Sequence, residues 1–240
     1  MPYKTLSAEK VIETIDKLSA RVGERFPKSG LEAVAGELAE TARRCAAESD
    51  RLRRPIMPIR VTVYSIWVVG AAAFFWIAAT LHYDAMEFDA ASLVMVLEPA
   101  MNLAVLMGLG VLTLGRLEEH WKRRKALDYL HELRSIAHVV DMHQLTKDPY
   151  RHAVPKTASS PGDVLSGPLL ERYLDYCSEM LALTGKLAAL FAQPCRDAEV
   201  SAGASDVEQH CTAMSRKIWQ KIMAFSRYDE ASANFPGARP

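Results

Sequence analysis

The sequence is poor in the residues that usually announce chemistry. Its 240 residues include only four cysteines (Cys45, Cys177, Cys195 and Cys211), none at the short paired spacing of a zinc knuckle or a disulfide framework. Reduced thiols are the expectation. The 12 glycines form no phosphate-binding loop, and no nucleophile elbow or kinase motif set is present. Net charge is lacking too. Twenty-nine basic residues balance 29 acidic ones, so no overall field favours nucleic acid. There is no internal repeat and no useful strand-period segment, which leaves an all-α fold. No apolar core follows Met1, so a cleavable signal peptide is not expected, and Glu9, Glu13 and Asp16 argue against a transit peptide.

The most informative absence is local. From Val61 to Leu81 there is no charged residue in 21 positions, and from Ser92 to Gly115 Glu98 is the only one in 24. Each run is long enough for a bilayer core of about 30 Å at about 1.5 Å per residue. Tyr64, Trp67, Trp76 and Tyr83 stand near the ends of the first run, where aromatic rings favour headgroups. Two adjacent spans make a transmembrane helical hairpin. Arg51, Arg53, Arg54 and Arg60 precede it, and Arg116, Lys122, Arg123, Arg124 and Lys125 follow it. The connection holds Asp84, Glu87 and Asp89 and no Lys or Arg. Basic flanks stay inside, so the expected location is the bacterial inner membrane with both termini cytoplasmic.

The remaining chain reads as a cytosolic helical module. Residues 1–54 hold two helices, the first capped by Ser7 and the second by the capping box Ser29-Gly-Leu-Glu32. Pro55 and Pro58 mark an elbow over 55–60. Spans over 61–82 and 91–115 flank a short periplasmic loop at 83–90. The second span continues without Pro or Gly through 116–145 as one rod. A Pro-rich connection (146–168) leads to a helical pair (169–227) whose last helix is predicted to start at the capping box Ser205-Asp-Val-Glu208 and to end near Arg227, leaving a loose tail at 228–240.

On a helical wheel at about 100° per residue, Glu98, Asn102, Val105, Leu109, Thr113 and Arg116 fall within about 60° of one line. Ala100, Ala104 and Gly108 form a small-residue series on another face, suited to close packing on the first span or a neighbour. A carboxylate in lipid costs about 2.5–3.5 kcal/mol even on insertion scales, so Glu98 should face protein or water, or else snorkel outward and bond Asn102. A homo-oligomer around this stripe would make it pore-lining. Glu98 would form an outer ring, Val105 and Leu109 a constriction and Arg116 an inner ring. His120, Leu127, His131, Arg134, His138 and Asp141 continue the line into the rod.

The stretch Val94-Met-Val-Leu-Glu98-Pro99 resembles the pore-helix signature of the calcium uniporter family, Trp-Asp-Ile-Met-Glu-Pro. Glu98 and Pro99 match, while Val94 and Met95 stand where that family has Trp and Asp. The resemblance implies one carboxylate ring at a pore mouth, without the second. The whole-chain plan is similar to prokaryotic two-transmembrane SLATT-type proteins, which implies a pore-forming effector.

One other cluster carries chemistry. His138 and Asp141 are three apart on a helix and could share a metal ion or a proton, while His143 lies about 200° away from Asp141. Asp175, Cys177, Glu179, His210 and Cys211 could add ligands only if the fold gathers them. The basic cluster Lys122–Lys125 beside Trp121 suits anionic headgroups better than nucleic acid. The expected partners are the lipid bilayer, further copies of the chain and a possible cytosolic protein, with no cofactor and no enzymatic activity. The leading expectation is an ion channel or pore. The rival is a membrane-anchored interaction protein whose cytosolic helices bind a partner.

Overall fold

A computed structural model describes residues 6–80, 90–147, 157–159, 165, 167–193 and 197–234. All its regular elements are helices: α1 (Ala8–Arg25), α2 (Gly30–Arg53), α3 (Met57–Thr80), α4 (Ala90–Leu145), α5 (Gly167–Ala192) and α6 (Ala198–Asn234). No strand occurs among the described residues. The chain divides into two units, one of Met1–Arg53 with Lys125–Pro240 and one of Arg54–Arg124.

The larger unit is a helical bundle built by amphipathic pattern. In α1, Val11, Ile15, Leu18 and Val22 recur every three or four residues and are all buried. Ser7 caps the helix by accepting from the Lys10 N–H. The turn into α2 passes through Lys28 in the left-handed region (φ 60°). There the expected capping box forms with a one-residue offset. Ser29 Oγ accepts from the Glu32 N–H at 3.2 Å, but the Glu32 carboxylate takes the Lys28 N–H. Helices α5 and α6 pack most extensively on each other, and α1 packs on both α2 and α5. Leu18, Leu38, Leu133, Leu174, Met180, Leu187, Phe191 and Ile218 are fully buried at the centre. Phe26 sets its ring edge against Tyr173 and Tyr176, while Tyr129 of α4 stacks on Phe191 of α5 at 5.3 Å.

Polar contacts tie the last third of α4 into this bundle. Arg44 of α2 reaches Glu132 of α4 at 2.5 Å, and separately Ser178 of α5 shares a hydrogen bond with Ser215 of α6 at 2.6 Å. His143 lies where any side chain at Gly30 would have to go, so the start of α2 depends on that glycine. Gly203 likewise lets α6 approach Leu127 and Leu130 of α4.

The smaller unit holds α3 and the first part of α4. A stretch in each (Met57–Trp76, and a window of the segment from Leu97) is long and apolar enough to cross a membrane, and neither window is buried by the rest of the chain. Glu118 carries the polar contacts at one end of the unit. Its carboxylate accepts from the Ile56 N–H at 3.2 Å, pairs with Lys122 at 2.9 Å and lies 4.0 Å from Arg60. The Lys122 bond, the Ile56 N–H and the two cations hold that carboxyl below the usual glutamate range.

Three boundaries differ from the sequence reading. The elbow shrinks, because α3 starts at Met57 and takes Pro58 and Arg60 into its first turn. Proline is compatible there, since first-turn N–H groups have no intrahelical acceptor. Helix α6 starts at Ala198 rather than at Ser205. Asp197 Oδ1 accepts from both the Glu199 and Val200 N–H groups, whereas Ser205 lies inside the helix and accepts from the Gln209 side chain. An aspartate cap eight residues upstream therefore displaces the capping box. The same helix continues past Arg227 to Asn234. The acidic loop (Asp84, Glu87, Asp89), most of the Pro-rich connection and Cys195 lie outside the described residues.

Candidate functional site

Glu98, Asn102, Val105, Leu109, Thr113 and Arg116 are all exposed on α4. The half-buried positions of the same stretch are Ala100, Leu103, Met107, Gly108, Gly110 and Val111. On a wheel at about 100° per residue these centre about 180° from Glu98. A contact with α3 is made on that side by Met107, whose thioether rests on Gly70 of α3, 2.9 Å from where a β-carbon would stand. The polar stripe therefore points away from the side of α4 that meets α3. Thr113 differs from its neighbours, because its hydroxyl donates to the Leu109 carbonyl at 2.7 Å and is satisfied within the helix.

The small-residue series divides. Ala100 is half-buried, Ala104 is exposed, and a side chain at Gly108 would meet nothing within 4 Å. Within one chain the close approach is made by Gly70, a residue the sequence reading did not single out. Its signal was there, as the only glycine in the uncharged run from Val61 to Leu81.

The second candidate cluster sits in the larger unit. Asp141 accepts from the Gln144 side-chain amide at 2.6 Å. Gln144 in turn receives Lys221 of α6 at its side-chain oxygen (2.6 Å) and at its main-chain carbonyl (3.0 Å). A cation is thus set against the carbonyl end of α4, where the helix dipole favours it. His138 turns to α6 as well, its ring 4.6 Å from that of His210 and tilted by 58°. The Nε2 atom of His210 is buried with no hydrogen-bond partner. Burial is the main cause that lowers the His210 pKa from the ordinary histidine value. His138, Arg134 and Lys217 add to it, and Asp141 opposes.

Among the described residues no group of three or more His, Cys, Asp or Glu side chains is placed to hold a metal ion. The fold brings His210 to His138 but gathers neither Asp175, which pairs with Arg172, nor Glu179, which pairs with Arg21. His143 packs on Gly30 instead. Cys45, Cys177 and Cys211 are buried free thiols. Burial pushes the first two up to about 12 and Cys211 up to about 11, so all three are protonated at neutral pH and are poor nucleophiles.

Comparison with family models, with curated proteins and with solved structures finds no match for this chain.

One further surface is chemically distinct. A groove of about 500 Å³ runs between α5 and α6, lined by Lys186, Glu208, Thr212, Arg216 and Trp219 among others. Trp219 and, one turn on, Met223 are both half-exposed.

Proposed function

We propose that the chain is a bacterial inner-membrane protein whose α3 and first half of α4 form a transmembrane hairpin with both termini cytoplasmic. It assembles with further copies around an ion-conducting path lined by α4. The observation that carries this reading is the separation of faces on α4. Met107 meets α3 on one side, while Glu98, Asn102, Val105, Leu109 and Arg116 stand exposed on the other. Leaving an ionisable side chain against hydrocarbon is costly, whereas a ring of copies gives Glu98 water and protein to face. Arginines at 51, 53, 54 and 60, and the basic cluster after Arg116, hold the flanks inside.

Glu98 supplies fixed negative charge at the outer mouth and attracts cations. Val105 and Leu109 narrow the path and can close it by excluding water, and Arg116 sets the charge of the inner mouth. Purified protein in planar bilayers is expected to conduct, and Glu98→Gln to lower cation preference and conductance several-fold. Absence of conductance, or conductance indifferent to Glu98→Gln, defeats the reading. So does a detergent-solubilised mass corresponding to a monomer.

A second reading has its own observation. The half-exposed Trp219 and Met223, beside Arg216 and Lys186, fit a module that docks a cytosolic partner while α3 and α4 serve as a tether. Activity that survives deletion of residues 57–117 would favour it over the channel.

A further inference from the structure

The pairing of His138 on α4 with His210 on α6 is not used by either functional reading, and it joins elements far apart in sequence. Two imidazoles 4.6 Å apart are compatible while at least one is neutral. Protonating both places two like charges in contact, at a site where Arg134 of α4 and Lys217 of α6 already contribute positive charge and Asp141 of α4 opposes them. The geometry adds a second penalty. His210 Nε2 is buried without a partner, which a neutral ring tolerates by keeping its lone pair there. An imidazolium must carry a proton on that atom with no acceptor to receive it.

We infer that the His138–His210 contact is an acid-released latch, closed at neutral pH and opened by protonation, which frees the middle of α6 from α4. The direction follows from linkage. A histidine whose value in the folded contact lies below its value when released binds more protons once released. The contact is thus intact above the ordinary histidine range and weakens as pH falls through that range towards the depressed folded value. Nearby anchors oppose complete separation. Lys221 remains bonded to Gln144 one turn beyond Asp141, and Gly203 keeps α6 close to Leu127 and Leu130. Release is therefore local, centred on His210 and the adjoining buried Cys211.

The test is hydrogen exchange on the full chain in detergent, corrected for intrinsic exchange, at about pH 7.5 and about pH 5.5. In the wild type, protection of the α6 amides around His210 is expected to fall several-fold, up to about tenfold, on acidification, with the amides of α1 unaffected. His210→Gln, which cannot titrate, should abolish that pH dependence, and His138→Gln, which removes the like-charge contact but leaves the burial of His210, should reduce it. His131→Gln, an exposed change two turns earlier on α4, should leave it intact. His138 is itself exposed, so its variant preserves the test if His210→Gln fails to fold. Equal pH dependence in wild type and His138→Gln, or a His210 imidazole that titrates at or above the ordinary histidine value by NMR, overturns the inference. Both outcomes are independent of whether the chain conducts ions.

Discussion

Phe191 and Phe75 are the same side chain in opposite circumstances. Phe191 of α5 has no exposed surface, while Phe75 of α3 is 70% exposed, beside Trp76 at 74%. The contrast runs along α4 itself, where Val105, Leu106 and Leu109 stand open and Ala126, Leu130, Leu133 and Ala137 are buried. Burial of apolar area contributes about 25 cal/mol per Å², so a chain does not leave such a continuous set uncovered in water. In the larger unit the cover is other helices, selected by amphipathic pattern. In the smaller unit α3 is apolar nearly all round, and the described apolar windows of both helices are left exposed. Lipid and further copies are the two covers that the proposed function assigns to them.

The largest expected effect breaks this contrast directly. Phe191→Ala removes a ring from a closed core and should cost about 3–5 kcal/mol by denaturant unfolding in detergent. Phe75→Ala, by contrast, should change stability by about 0.5 kcal/mol or less. Comparable losses would mean that Phe75 is packed against protein in the assembled state. Next come two glycines. Gly30→Ala forces the His143 ring aside and should cost about 1–3 kcal/mol in the same measurement. Gly108→Ala meets nothing within 4 Å and should be neutral or gain up to about 1 kcal/mol from helix propensity. A fall in oligomeric mass caused by Gly108→Leu would identify that open face as the seat of a second copy. The smallest effect concerns caps. Asp197→Ala is expected to cost about 1 kcal/mol, and Ser205→Ala, well inside α6, less than about 0.5 kcal/mol by thermal unfolding.

How much was legible in the sequence varied with the kind of signal. Length and apolarity located α3 and the start of α4, because both properties accumulate over about 20 residues and tolerate local noise. The uninterrupted run to Leu145 was legible for the same reason: nothing between Arg116 and Gln144 breaks a helix. Single-residue signals were weaker. Ser29 and Glu32 acted as caps, but Ser205 and Glu208 did not, since the same short motif sits comfortably inside a helix once a stronger acceptor, Asp197, lies upstream. Gly70 is not legible in the sequence as a contact, because a lone glycine carries no spacing pattern. The partner that gives it meaning, Met107, belongs to another helix.

The two candidate sites divide along the same line. The Glu98 stripe follows from helical geometry alone, because its members are neighbours on one helix. The partnership of His138 with His210 spans 72 positions and could not be read from the local spacing that joined His138 to Asp141. Periodicity and composition, which are local, determined that the chain is helical, where its apolar segments lie and which α4 residues share a face. Which faces are covered, and by what, depends on contacts between elements distant in sequence. Only the tertiary structure decided that Lys221 bonds Gln144, that His210 meets His138, and that Glu98 is turned away from the Gly70 contact.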